Sequence, residues 1–395
     1  MKRTHQIAAL SLSHFLVDFY MNLVPPLLFV LGQQRGLSLA QQSTLILVLN
    51  LTSSALQPLM GLWSDHKGKG WHLILTGMLI GLGMTAVAWM PTLPLMMLVV
   101  AIAGVANALY HPLGSVVTTQ VAQYNKASVL STYITAGSLG YALTPVIVVP
   151  LALNWGLDKV GWLALPGLIT ALLLLLTGIN QVQVAKPQQQ KSDAIGVKPH
   201  WRQLPLAQLF RLNVVVGLRS WVQLAFMTFG IQLMVQRGHT GEVASLGMTW
   251  FLVAGTVGTM LSGRWADRWG VRRLLTGSLA LSALALGLTV ISHGIYLWLA
   301  IGLLGASLSA SFPLTIMMAQ ELLPAYAGLA SGMMQGLGFG IGGICLSFTG
   351  HMAESQSITT ALSWMVIPAL MAFGLCFIYT KPPKLREEKP AVEQV

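Results

Sequence analysis

The chain has 395 residues, of which 54% are hydrophobic and only 8% are charged, and its formal net charge is +11. A soluble domain carries about 25% charged residues and needs them to cover its surface, so this composition excludes a soluble globular protein and indicates a chain embedded in lipid. The two cysteines, Cys345 and Cys376, fall in apolar runs and give neither a disulfide framework nor a zinc-ligand spacing.

Apolar runs of about twenty residues recur along the chain, the length that a helix needs to cross the hydrocarbon core. They predict an all-α membrane protein with twelve transmembrane helices, since membrane β-barrels show alternating segments of about ten residues instead. The predicted spans are residues 6–31, 41–62, 72–90, 93–117, 128–150, 161–182, 207–235, 243–263, 274–292, 294–319, 326–350 and 358–380.

A polar stretch rich in Gln, Lys and Pro divides these spans into two groups of six. We predict an N-terminal six-helix bundle over residues 1–182, a cytoplasmic linker over 183–205, a C-terminal six-helix bundle over 206–380 and a cytoplasmic tail over 381–395. The first apolar run is too long for a signal peptide and lacks a small-residue cleavage site, so it is expected to stay as an uncleaved span.

Lysine and arginine are distributed unevenly between the two ends of the predicted spans. If both termini lie on one side, that side holds all but four of the 22 basic residues; Arg35, Lys159 and Arg237 lie on the other side, and Arg219 lies inside a span. The positive-inside rule then places both termini in the cytoplasm. The basic charge is thus explained by topology, and nucleic-acid binding is not expected.

The two halves carry matching residues about 200 positions apart, in the same order. Three sets match: Gly61, Trp63, Asp65 and Gly68 with Gly263, Trp265, Asp267 and Gly270; Pro112 and Leu113 with Pro313 and Leu314; and Ala127, Ser131 and Gly140 with Ala327, Ser331 and Gly340. Repeated bundles of this kind are a transporter architecture, with the solute site between the halves near the membrane midplane.

The loop after the eighth span, residues 263–273, resembles the signature loop of the major facilitator superfamily, and the loop after the second span is a degenerate copy. This resemblance covers nearly the whole chain and implies the major facilitator fold, two pseudo-symmetric six-helix bundles. It also implies a conformational latch of charges on the cytoplasmic side that biases the inward-closed state. The residues that it assigns to the latch are Gly61, Asp65, Gly263, Asp267, Arg268 and Arg272.

Two further segments, residues 13–26 in the first span and 108–112 in the fourth, resemble the fosmidomycin-resistance family within that superfamily. This resemblance implies a proton-coupled exporter of drugs or small polar metabolites. The arginine that proton–drug antiporters usually carry in the fourth span is replaced by Asn107 and His111, which puts an Asp–Arg coupling device between the first and fourth spans in doubt.

Asp18 is the only acidic residue in the middle of a predicted span. A carboxylate there is costly unless it pairs or takes up a proton, so Asp18 is a candidate for proton coupling. His14 lies one helical turn earlier on the same face and could relay the proton.

Arg219 is the only cation at a comparable depth, at the equivalent position of the seventh span. We predict that Asp18 and Arg219 face each other in at least one conformational state, so that protonation of Asp18 frees Arg219 for an anionic group of the solute; a fixed salt bridge is the alternative.

Four more polar residues are candidates for substrate binding. Asn22 continues the helix face of Asp18, Asn107 and His111 share one face of the fourth span, and Gln223 follows Arg219 by one helical turn. Helix packing is the alternative role for the histidines. Residues 338–343 fit a dinucleotide-binding pattern formally, but no strand precedes them, so no cofactor is expected. No metal site is predicted either.

Two transport functions stay open at this stage. The first is proton-coupled antiport that exports a small polar or anionic solute by alternating access, and the second is proton-coupled symport that imports a small metabolite. An enzyme is not expected, because no nucleophile pairs with His14 and Asp18. The expected partners are a small solute, protons and the lipid bilayer, in a monomer placed in the bacterial inner membrane with both termini in the cytoplasm.

Overall fold

The computed structural model describes residues 2–122, 126–184, 205–323 and 327–377, and within them it leaves out a few side chains, among them those of Asp65 and Asp267. In this part of the chain nearly every residue is helical, and a bridge between Lys69 and Gln183 is the one β-type pairing. Helices suit a lipid environment because they satisfy their backbone hydrogen bonds internally.

The first half contains eight α-helices in the described ranges, and two of its spans are interrupted. Pro25 and Pro26 follow the break after Met21, and Pro58 follows the break after Ser54, where the first turn of a helix tolerates a missing N–H. The helices are Lys2–Met21, Val24–Arg35, Leu39–Ser54, Gln57–Lys67, Gly70–Ala86, Leu93–Ala122, Lys126–Asn154 and Ala164–Leu176, with 3-10 turns at Val87–Trp89, Leu157–Leu163 and Ile179–Gln181.

The second half is more regular. Its helices are Leu206–Gln236, Gly241–Trp269, Val271–Ile291, Gly294–Leu322, Ala327–Ser355, Ile358–Trp364 and Val366–Phe377. Eleven segments of the described chain are long and apolar enough to cross a membrane. The one further span, the eleventh in chain order, is the helix Ala327–Ser355, whose 29 residues are also long enough to cross. The predicted order of twelve spans is therefore confirmed.

Equivalent helices pack in the same way in the two halves. The first span lies on the fifth as the seventh lies on the eleventh, and the second lies on the fourth as the eighth lies on the tenth. Gly305 permits the last of these contacts, since a Cβ there would lie 2.8 Å from the carbonyl carbon of Phe251. The halves meet where the second span packs on the eleventh and the fifth packs on the eighth. This is the arrangement of two similar bundles that the repeat predicts, and it is the major facilitator fold that the resemblance implies.

The end of the bundle that carries Lys2 is called here the N-terminal face, and the opposite end the distal face. Two hydrogen bonds join the halves near the distal face: Gln232 Nε2 donates to Gln42 Oε1 (2.8 Å), and the backbone N of Ala40 donates to Glu354 Oε2 (3.1 Å). These contacts close the distal face between the halves. The predicted tail and nearly all of the predicted linker, residues 185–204, lie outside the described residues.

Candidate solute and proton site

Asp18 lies where the first span passes the fourth and fifth spans, and it contacts two histidines. His14 Nε2 is 3.5 Å from Asp18 Oδ2, and His111 Nε2 is 3.5 Å from Asp18 Oδ1. The Asp18 side chain is 18% exposed and His111 30%, whereas His14 is only 6% exposed. The carboxylate therefore faces a cavity with His111 beside it and His14 behind it.

The second nitrogen of His14 fixes how this ring can be protonated. His14 Nδ1 lies 2.7 Å from the backbone oxygen of Tyr133. A carbonyl oxygen only accepts, so Nδ1 carries a proton and donates it. In a neutral His14, Nε2 is then an acceptor that lies 3.5 Å from Asp18 Oδ2, a second acceptor, and it has no hydrogen-bond partner among the described residues. The pair is stabilised when one proton lies between Nε2 and Oδ2, whichever of the two groups holds it.

The fifth span leaves room for this cluster at Gly137. A Cβ at that position would lie 2.7 Å from Cε1 and 2.8 Å from Nδ1 of His14, and it would also meet the Asp18 carboxylate. The His14 ring stacks on Tyr133, with 4.0 Å between the ring centroids. The hydroxyls of Ser13 and Tyr110 lie 2.7 Å apart and join the first span to the fourth. The cluster is thus held by packing on two sides.

The ligand atoms of His14, Asp18 and His111 also lie within 4.8 Å of one another, a spacing at which three such groups could hold a metal ion. The sequence predicted no metal site. A carboxylate in ion-pair contact with two imidazoles is equally the arrangement that takes up a proton.

Arg219 is 3% exposed and takes its hydrogen-bond partners from the tenth span. Its Nε donates to the backbone oxygen of Leu308 (3.1 Å) and to Ser311 Oγ (3.0 Å). The guanidinium carbon lies 5.4 Å from the ring centroid of Phe312 and 5.9 Å from that of Phe339. Its Nη1 is buried and has no hydrogen-bond partner among the described residues.

The predicted direct pairing of Asp18 with Arg219 is absent from this conformation. Among the described side chains, Asp18 makes its ion-pair contacts with the two histidines, and no carboxylate lies within 4.0 Å of the Arg219 guanidinium. The physical reason is that His14 lies one turn from Asp18 on the same helix and His111 faces it, while Arg219 extends toward the tenth span. A fixed salt bridge between the halves is therefore not present here.

Asp18 and Arg219 nevertheless line the same cavity, which has two adjoining lobes. The arginine lobe, about 730 Å³, is lined by Arg219, Gln223 and Phe312. The amide lobe, about 270 Å³, is lined by Asn50, Gln57, Asn107 and His111. Asp18, Tyr141 and Phe339 line both lobes. The lobes extend toward the N-terminal face, since they include Gln57, Leu130 and Met260, which lie in the halves of their spans near that face.

The structure thus brings five of the seven residues predicted for coupling and binding to the cavity wall, and it places His14 directly behind Asp18. Asn22 is the exception: it is 1% exposed, and its Nδ2 donates to the backbone oxygen of Tyr141 (2.7 Å). A direct solute contact from Asn22 has no support in this conformation, because its amide already joins the break in the first span to the fifth span.

Sequence reasoning missed Asn50, Tyr141, Phe312 and Phe339. Asn50 had a usable signal, since it is a polar residue inside the apolar run of the second span. The aromatic residues had none, because their types are common in every span.

The conformational latch stays a prediction. Gly61 lies near the N-terminal face, as do Gly263, Arg268 and Arg272. The latch depends on the carboxylates of Asp65 and Asp267, which are among the side chains that the structure does not describe.

Comparison with known proteins agrees with this fold. The family model of the Major Facilitator Superfamily matches residues 10–240 and 222–394. The chain belongs to the Major Facilitator Superfamily. It is therefore a multi-pass membrane transporter for a small-molecule solute, and its fold and family are those of a transporter and not of an enzyme.

The individual relatives share only about a quarter of their aligned residues with this chain. The MFS-type transporter YfnC of Bacillus subtilis is 27% identical over 394 residues, covering 96% of this chain and 93% of the relative. The fosmidomycin resistance protein of Escherichia coli is 25% identical over 379 residues, covering 94% and 92%. This match confirms the predicted resemblance. A mutant of the nucleoside transporter NupG has a solved structure with a TM-score of 0.80 at 15% identity, covering 95% of this chain and 100% of that chain, which shows the shared fold.

Proposed function

We propose that the protein is a proton-coupled antiporter that exports a small polar or anionic solute by alternating access. In this proposal it lies in the bacterial inner membrane with both termini in the cytoplasm, so that the cavity extends toward the cytoplasm. The observation that carries the proposal is the contact of Asp18 with His14 and His111 at the wall of the solute cavity. The fosmidomycin resistance relative supports export as the direction.

Exchange follows from competition at Asp18. The carboxylate lies where the two lobes join, so a solute that fills both lobes touches it. A hydrogen-bond donor of the solute can then replace the proton that Asp18 shares with His14. When the halves rock and open the distal face, a proton displaces the solute in turn. Solute and proton alternate at one group, which is what antiport requires.

One observation favours symport as a second candidate. Arg219 has no carboxylate partner among the described residues, and an anion bound beside it in the same cavity would attract a proton to Asp18. Linkage is reciprocal, so the proton would equally favour the anion, and the two would travel together. A solute that displaces the proton from Asp18 gives antiport, whereas an anion that attracts a proton to Asp18 from the arginine lobe gives symport. The stronger of these two effects decides which mode of coupling operates.

The test uses purified protein in liposomes that hold a pH-sensitive dye and have an acidic interior, in the presence of EDTA to remove metal ions. A panel of anionic and cationic solutes is added outside to wild type, Asp18→Asn and Asp158→Asn. The last is a matched control, because Asp158 is exposed and pairs only with its neighbour Lys159.

Antiport predicts that a transported solute makes the interior more alkaline in wild type and Asp158→Asn but not in Asp18→Asn. Acidification of the interior would support symport instead. If Asp18→Asn moved protons as wild type does, the coupling role of Asp18 would be rejected, and if no transported solute moved protons, proton coupling itself would be rejected.

A further inference from the structure

Three side chains of metal-binding type converge at the cavity wall. The ligand atoms of His14, Asp18 and His111 all lie within 4.8 Å of one another, and each histidine Nε2 lies 3.5 Å from a different oxygen of Asp18. Ligands about 2.0–2.1 Å from a tetrahedral zinc ion lie about 3.4 Å from one another. The two nitrogen–oxygen distances therefore match the spacing that one such ion imposes, and they exceed the length of an N–H···O hydrogen bond, about 2.7–3.2 Å.

His14 is already oriented as a metal ligand. Its Nδ1 donates to the backbone oxygen of Tyr133 at 2.7 Å, so in the neutral ring Nε2 carries the lone pair. Histidines that bind metals nearly always donate their second N–H to a carbonyl or carboxylate, because that bond fixes the tautomer and the ring orientation. The His14 side chain is 6% exposed, and its Nε2 is buried with no hydrogen-bond partner among the described residues. A buried acceptor of this kind needs a partner, and a metal ion supplies one.

The other two ligands leave the site open toward the cavity. Asp18 and His111 line the amide lobe, and their side chains are 18% and 30% exposed. Zinc sites with three protein ligands keep a fourth position for water or another small ligand, whereas structural zinc sites use four protein ligands. The geometry thus favours an exchangeable ion that enters from the cavity over a permanently enclosed one.

We propose that His14, Asp18 and His111 bind a divalent transition-metal ion of zinc's class. Two imidazoles favour Zn²⁺, Ni²⁺ or Cu²⁺, whereas Mg²⁺ and Ca²⁺ prefer sites made of oxygen ligands. The prediction from sequence lacked this site because His111 belongs to another span and meets Asp18 only through helix packing. The site goes beyond the proposed function, since metal binding needs neither a solute nor a gradient.

A bound ion has one consequence for the proposed antiport. The ion takes the Nε2 lone pair of His14 that the proposed function assigns to the shared proton, so metal and proton exclude each other there. We therefore expect zinc to stop the solute-driven proton movement that proceeds in EDTA. This consequence rests on the proposed function, whereas the site itself does not.

The test is a competition titration of the purified full-length protein, free of any affinity tag, against a chromophoric zinc chelator. We expect wild type to bind one zinc ion per chain and an excess of Mg²⁺ not to displace it. Asp18→Asn, His111→Asn and His14→Asn, which keeps an N–H donor for Tyr133, each remove one ligand. Each should weaken zinc binding at least about 100-fold, because loss of even an outer partner of a metal ligand costs about 10–100-fold.

Matched controls separate this site from other histidines and carboxylates. His351→Asn, at an exposed histidine of the eleventh span, and Asp158→Asn, at an exposed carboxylate paired with Lys159, should bind zinc as wild type. X-ray absorption of the bound zinc adds a readout of geometry, with two imidazole ligands expected in wild type and one in His111→Asn at saturating zinc. If His14→Asn does not fold, His111→Asn keeps the test, because its ring is partly exposed.

No saturable zinc binding in wild type, displacement of zinc by Mg²⁺, or wild-type affinity in any of the three ligand variants would overturn the assignment. So would an equal loss of affinity in the two controls. Solute-driven proton movement in EDTA together with no zinc binding would reject this site alone. Zinc binding that the ligand variants abolish, together with no proton movement in EDTA, would support the site and reject the proposed antiport alone.

Discussion

Arg35 and Arg237 stand 202 positions apart, and each guanidinium binds the C-terminal end of a neighbouring helix in its own half. Arg35 donates to the backbone oxygens of Ala88 and Met90, and Arg237 donates to those of Val290 and Ser292, the residues at the same offset. The repeat thus extends from the loop motifs to individual hydrogen bonds. It also explains why these two cations lie at the distal face, since the last carbonyls of a helix lack partners and attract positive charge.

Replacing either arginine should therefore destabilise its own half. We expect Arg35→Gln and Arg237→Gln each to cost about 1–2 kcal/mol, because two carbonyls at Arg35 and three at Arg237 lose charge-assisted donors, with the larger effect at the less exposed Arg237. Thermal unfolding of the purified protein measures this as a lower Tm. Lys159→Gln is the control, because Lys159 pairs only with its neighbour Asp158. An equal loss of Tm in the control would show that any distal cation has this effect.

Gly137 should be intolerant of even one added methyl group. In Gly137→Ala the Cβ would press on His14 and the Asp18 carboxylate, so we expect transport to fall at least about ten-fold and stability to fall by about 1–3 kcal/mol. Gly340→Ala is the matched control in the eleventh span, since its Cβ would meet only Leu51, at 3.9 Å. Alanine is the better helix former, so the control should keep or slightly raise Tm. Transport rates in liposomes and Tm together decide the outcome; normal transport in Gly137→Ala would show that the cluster has room to move.

The sequence predicts the spans and their order because hydropathy and length alone decide which segments can cross a bilayer. It also predicts the His14–Asp18 contact, which the helical spacing of the two residues imposes. It does not predict the partners of Arg219. One of them is the backbone oxygen of Leu308, and a carbonyl has no sequence signature. Likewise the approach of His111 to Asp18 depends on how the fourth span is rotated against the first, which is a property of packing and not of spacing.

The fixed ring orientation of His14 gives a sharper test of proton sharing. His14→Asn can still donate an amide N–H to the backbone oxygen of Tyr133, but it has no counterpart of Nε2 beside Asp18. His14→Gln places its amide nearer to the Nε2 position and loses the bond to Tyr133. We expect both variants to lose solute-driven proton movement in liposomes, and His14→Asn to keep a Tm closer to that of wild type.

The control for this pair is His351→Asn, an exposed histidine of the eleventh span that should transport as wild type. If proton movement persisted in His14→Asn, Asp18 and His111 would carry the coupled proton and His14 would not be needed.

The hydrogen bond between Gln42 and Gln232 should set how often the distal face opens. Gln42 is 2% exposed, and its Nε2 also donates to the backbone oxygen of Leu37, so it is held in place to accept from Gln232 across the halves. Gln232→Ala removes that contact while leaving Gln42 anchored. A net loss of about 1 kcal/mol corresponds to about a five-fold shift toward the distal-open state.

A cysteine in the cavity can report this shift, because Met227 lines the amide lobe. In a background that carries Cys345→Ser and Cys376→Ser, Met227→Cys is treated with an impermeant maleimide applied at the distal face of oriented proteoliposomes. Labelling should be about five-fold faster with Gln232→Ala than without it. Gln356→Ala, an exposed glutamine near the same face, should leave the rate unchanged. An unchanged rate with Gln232→Ala would mean that the packing of the second span on the eleventh, and not this hydrogen bond, holds the distal face closed.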